Sequence, residues 1–95
     1  MDLNQYIQNN REGRLVKVVK CKSGLTLSVQ ASDTHYCSPR SNNGPWTEVE
    51  VGFPSRKVES IIDWAEDPYD PCNTVYGYVP VAVLEEVIKD NGGLD

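Results

Sequence analysis

Residues 25–31 alternate without a break: Leu25, Leu27, Val29 and Ala31 are apolar, and Thr26, Ser28 and Gln30 between them are polar. Successive side chains of a strand point to opposite faces, so this pattern predicts a strand with one buried face. Just before it, residues 14–21 read Arg-Leu-Val-Lys-Val-Val-Lys-Cys, rich in the β-branched residues that suit a pleated surface. Lys22-Ser23-Gly24 turns the chain between the two segments, so residues 14–31 are predicted to form a β-hairpin.

A hairpin with one apolar face needs further elements to cover it, and the remaining sequence supplies them. Thr47, Val49, Val51 and Phe53 alternate with Glu48, Glu50 and Gly52, which predicts a third strand with two carboxylates on its outer face. Pro54 stops that strand, and Ser55 is placed to cap a helix with the apolar stripe Val58, Ile61, Ile62 and Ala65. Glu66-Asp67-Pro68-Tyr69-Asp70-Pro71 ends this helix, because a residue before proline is pushed out of the helical region. Residues 74–79 predict a fourth strand. Pro80 suits the first turn of a last helix, which buries Val83, Leu84, Val87 and Ile88 and closes at Asn91-Gly92-Gly93. Leu3, Tyr6 and Ile7 have the spacing of a short N-terminal helix. A chain of 95 residues holds one core, so a single domain over 1–95 is expected. The fold class that follows is α+β: a small, mainly antiparallel four-stranded sheet, two helices on one face, and a short N-terminal helix.

Charge narrows the class of partner. Residues 1–40 carry six basic side chains (Arg11, Arg14, Lys17, Lys20, Lys22, Arg40) against three acids, whereas residues 41–95 carry three against eleven, for a net charge of -5. That balance disfavours direct binding to nucleic acid and suits either a solvated acidic surface or docking on a partner's basic groove. No apolar run approaches the roughly 18 residues of a membrane span, and no secretory signal is visible at the start, so a cytoplasmic protein without a membrane role is expected. Cys21, Cys37 and Cys72 form no close pair and are expected as three free thiols, Cys21 buried.

Residues 32–46 form a long loop by composition, and loops of this length inside a small domain are often functional. Asp33, His35 and Cys37 raise a Cys–His nucleophile, but positions i and i+2 of an extended segment point apart, and the chain has one histidine. Zinc would need His35 and Cys37 to converge with Cys72 or Cys21, without the usual close ligand pair. The carboxylates of Glu48, Glu50, Asp63, Glu66, Asp67 and Asp70 lack the asymmetric apolar setting of an acid–base pair. No phosphate-loop, dinucleotide or nucleophile-elbow motif is present, so no enzyme activity and no cofactor is expected. What the loops hold is a set of rigid aromatics and one arginine, His35, Tyr36, Arg40, Trp46, Tyr69, Tyr76 and Tyr78, the residue types that anchor interfaces. The partner-binding edge is therefore predicted at His35, Tyr36, Arg40 and Trp46 with Glu48 and Glu50 on the adjoining strand. Two other readings stay open. Pro39, Cys37 and Trp46 would instead fold the loop onto the sheet as core, or Arg40 would hold the phosphate of a small nucleotide stacked on Tyr36 or Trp46.

Six segments carry a resemblance: Ser28-Val29-Gln30-Ala31-Ser32, His35-Tyr36-Cys37-Ser38-Pro39-Arg40, Gly44-Pro45-Trp46, Glu48-Val49-Glu50-Val51-Gly52-Phe53-Pro54, Ala65-Glu66-Asp67-Pro68, and Thr74-Val75-Tyr76-Gly77-Tyr78-Val79-Pro80. Together they resemble a family of small proteins encoded by tailed bacteriophages, over residues 15–93. That family has no assigned activity, so no catalytic residue carries over. The resemblance implies a phage origin and expression in the cytoplasm of an infected bacterial host. It also implies an accessory role in which the protein binds and inhibits a host protein such as a defence effector, as anti-CRISPR proteins do. The alternative function is a sponge for a nucleotide second messenger.

Overall fold

The alternating segment becomes β4 (Thr26–Gln30), with Leu27 and Val29 buried and Thr26 and Ser28 half-buried on the opposite face. In the computed structural model, which describes all 95 residues, it is the second strand of an antiparallel sheet. The order is β3 (Val19–Lys20), β4, β5 (Glu48–Gly52) and β6 (Val75–Pro80). Leu27, Val29, Val49, Val51, Tyr76 and Val79 of the sheet share one apolar cluster with three other elements. These are α1 (Leu3–Asn9) through Leu3 and Ile7, a 3-10 helix (Glu59–Trp64) through Ile61, and α2 (Val81–Asp90) through Leu84, Val87 and Ile88. The fold is α+β. Each fully buried Leu, Ile or Val contributes about 1.5–3 kcal/mol, so the shared face is the main source of stability.

Three local readings change. The segment 14–21 is not one strand: β2 (Leu15–Val16) pairs with β1 (Arg11–Glu12) in a separate ribbon, and only Val19–Lys20 pairs with β4. The register that sets Val19 opposite Leu27 brings Val16 opposite Gln30, but the rung between them is made by a side chain. The Gln30 carboxamide accepts from Val16 N–H at 2.9 Å and donates to Val16 C=O at 3.0 Å. Lys17 and Val18 are exposed where the chain leaves the ladder.

Ser55 does not cap a helix. Its N–H donates to Thr26 C=O at 2.8 Å and its Oγ accepts from Thr26 N–H at 3.0 Å, so it prolongs the β4–β5 pairing. The following helix is held back to Glu59–Trp64, while Ala65 already bridges Tyr76 and Glu66 N–H bonds Val75 C=O. Six residues must span the gap between two extended anchors. A 3-10 helix rises about 2.0 Å per residue against about 1.5 Å for an α-helix, so the same six residues reach further between extended Val58 and Ala65. Phe53 also leaves the predicted alternation: it sits at φ +51° and is exposed.

The β3 edge of the sheet is covered by the C-terminal chain. Outside β3, Cys21 bridges Leu94, Asp95 N–H bonds Lys20 C=O and Lys22 N–H bonds Gly93 C=O. No helix is long and apolar enough to cross a membrane.

Replacing Gln30 with Met keeps the length of the side chain and strands the N–H and C=O of buried Val16. Urea denaturation of Gln30→Met is expected to show a loss of about 2–4 kcal/mol, and the Val16 amide should exchange with solvent far faster than in the parent.

Candidate functional site

The loop 32–46 is tied together by its own polar groups. Ser32 is fully buried, and its Oγ lies 2.6 Å from His35 Nδ1 and accepts from Thr34 N–H at 3.1 Å. The Cys37 thiol donates to Ser32 C=O at 3.1 Å, and Asp33 N–H donates to Asn42 Oδ1 at 3.1 Å. Ser38 exchanges both main-chain bonds with Glu48, at 3.0 and 3.3 Å, so the end of the loop is stitched to β5. The Arg14 guanidinium beside Asp33 holds that carboxyl below its ordinary value, through a hydrogen bond at 2.8 Å.

One expected anchor leaves the site here. Trp46 is only 2 % exposed, so it does not face a partner. Asn4 of α1 grips its main chain, accepting from Trp46 N–H at 2.6 Å and donating to Trp46 C=O at 3.0 Å. The indole N–H donates to Ser41 C=O, and a Cβ on Gly44 would lie 2.9 Å from the ring, so the ring packs where only glycine fits. Cys37 is likewise buried. Cys37 and Trp46 of the loop are core, whereas Pro39, expected with them in the second reading, is exposed.

The outer part crosses the helix-free face of the sheet. Glu48 and Glu50 point there, opposite buried Val49 and Val51, and the Glu50 carboxylate accepts from Tyr36 N–H at 3.1 Å. Tyr36 lies over Gly77, where an added Cβ would come within 3.3 Å of the Tyr36 Cβ. The β5–β6 register shifts between Val49–Val79 and Val51–Tyr76, so Gly77 and Tyr78 together face Glu50 in a bulge. Tyr78 takes φ +57° and donates its N–H to Tyr36 C=O at 3.0 Å. The two rings meet at 6.0 Å and 41°, and each tyrosine is 42 % exposed. Arg40 stacks its guanidinium 5.5 Å over the Tyr36 ring, and its Nε donates to His35 C=O at 3.0 Å.

The structure thus brings His35, Tyr36, Arg40 and Glu50 together, with Glu48 on the same strand face, and adds Tyr78, an anchor type by sequence that lies outside the predicted edge. The available signal for Tyr78 was glycine inside a strand pattern, Val75-Tyr76-Gly77-Tyr78-Val79, a frequent mark of a bulge. Tyr69 is 96 % exposed but stands on the separate 66–73 turn.

The Cys37–His35 pair does not form: the His35 ring bonds the fully buried Ser32 hydroxyl, and the Cys37 thiol points to the carbonyls of Ser32 and Pro39. No three His, Cys, Asp or Glu side chains converge as metal ligands. The three cysteines are free, Cys21 and Cys37 buried and Cys72 half-buried, and burial pushes the Cys21 thiol pKa up. Comparison of the chain with protein-family models, curated proteins and solved structures gives no match.

Two outcomes follow. At an ordinary strand position Gly is less stable than Ala, but a left-handed residue with a Cβ costs about 1–2 kcal/mol. Thermal unfolding should therefore rank Tyr78→Gly above Tyr78→Ala by about 1 kcal/mol; the usual strand order would show that the bulge is not held at positive φ. Under native conditions, mass-mapped alkylation should label Cys72 first, with Cys21 and Cys37 labelled only as the protein unfolds.

Proposed function

We propose that the chain is a non-enzymatic binding protein that docks on a host protein through the outer face around Tyr36, Tyr78 and Arg40, and inhibits it. The observation that carries this reading is Tyr78, a bulky residue kept at φ +57° and left 42 % exposed beside Tyr36 and Arg40. Backbone strain of this kind clusters at functional sites, and tyrosine and arginine dominate interface hot spots. The bulge and the loop fix both rings before any partner arrives, which lowers the entropy lost on binding.

Relief favours a protein over a nucleotide. The two clefts of the surface, of about 570 and 350 Å³, lie elsewhere, one beside Tyr6, Lys17 and Leu94 and the other beside Met1, Ile88 and Gly93. Small ligands take concave sites, whereas a shallow aromatic patch suits a protein surface. The net charge of -5 supports long-range attraction to a basic partner. Phage origin, the host cytoplasm and a defence effector as target enter this proposal through the resemblance of the segments quoted above.

Immobilised protein in lysate of the bacterial host is expected to retain one enriched protein. The double variant Arg40→Ala with Glu48→Ala should lose that protein while its unfolding free energy changes by no more than about 1 kcal/mol. Retention by the double variant, or capture of nothing at low salt, counts against the reading.

A further inference from the structure

We infer that the docking face takes a carboxylate side chain of the partner protein, held by Arg40. This rests on the docking reading above and adds the chemistry of the contact. A guanidinium has five N–H donors in a planar fork. In Arg40 one of them, Nε–H, is bonded to His35 C=O, and the plane is stacked on Tyr36. Neither Nη bonds any group of the protein, and Arg40 joins neither of the two ion pairs, Arg14–Asp33 and Lys57–Glu59. An exposed arginine without an ion-pair partner ordinarily loses side-chain entropy when it engages one. Here the orientation is already set at both ends of the head group, so the two Nη are presented as an empty fork in the geometry that accepts a carboxylate through paired bonds.

Phosphate fits the same fork, but the surroundings select against it. Glu50 sits on the same face, bonded to Tyr36 N–H, and the protein as a whole is negative. A phosphate calls for several cationic donors, whereas one fork satisfies both oxygens of a carboxylate, and Arg40 is the one cation stacked on Tyr36, so the carboxylate is the better occupant. Tyr36 lies against the fork and Tyr78 packs on Tyr36, so ring surface continues from the fork and suits apolar residues next to the acidic one. The occupant is therefore a protein segment with Asp or Glu between apolar side chains. The net charge steers the approach of a basic partner, and Arg40 sets the register of the contact at its centre.

The test is a titration of the full chain, followed by NMR, with capped Leu-Glu-Leu, with capped Leu-Gln-Leu, and with inorganic phosphate. The glutamyl peptide is expected to move the Arg40 Nε–H signal and the Tyr36 and Tyr78 ring signals, at a concentration at least tenfold lower than the glutaminyl peptide. Arg40→Ala should erase the difference between the two peptides. Equal response to both peptides overturns the carboxylate and leaves the docking face standing. A stronger response at Arg40 to phosphate than to the glutamyl peptide also overturns it. Absence of any response at these three residues overturns it too, while the capture experiment separately decides whether the face docks a protein.

Discussion

Two carboxamides hold this protein's irregular parts to its regular ones. Gln30 takes both main-chain groups of Val16, and Asn4 takes both main-chain groups of Trp46. A peptide unit presents one donor and one acceptor, and a side-chain amide is the residue group that matches both at once. In each case the amide substitutes for a strand neighbour at a point where the chain has left the ladder. Without Gln30 the ribbon of β1 and β2 has no hydrogen bond to β4, and without Asn4 the loop has none to α1, so packing alone would join each pair. Buried peptide groups demand such partners, because leaving one unmade costs about 1–3 kcal/mol.

Elements set by local periodicity were legible in the sequence, and those set by tertiary bonding were not. The alternation of 25–31 survives in β4 and the centre of the 47–53 alternation survives in β5, since a buried face allows no slip of register, while Thr47 and Phe53 at its ends are exposed. α2 runs where the 3.6-residue stripe of Leu84, Val87 and Ile88 puts it. The same stripe logic at Val58, Ile61 and Ile62 suggested an α-helix, but Ser55 and Ala65 are committed to strand bonds on either side, and the space between them admits a tighter helix. Likewise the β-branched run at 14–21 has the propensity of one strand, yet Gln30 displaces the main-chain rung and the strand breaks.

The site divides along the same line. Residue type pointed to Tyr36, Arg40 and Glu50, which meet on one face because the loop turns back over β5 and β6. Type also pointed to Trp46, and burial overrode it, since no sequence pattern distinguishes an aromatic that faces a partner from one that completes a core. Tyr78 owes its exposure to a bulge, a feature of pairing between strands rather than of the strand itself.

The covered margins of the sheet have a consequence for how this molecule meets others. The Gly93–Asp95 segment lies along β3, and Ala65 and Glu66 lie along β6, so the stretches of main chain that invite another strand to add on are short. Pro80, with no N–H, closes the far end of β6. Recognition by strand addition, which reads little beyond backbone, is thereby restricted. What another molecule encounters is side chains, and discrimination between partners rests with a few of them, which single substitutions can alter while the sheet beneath stays the same.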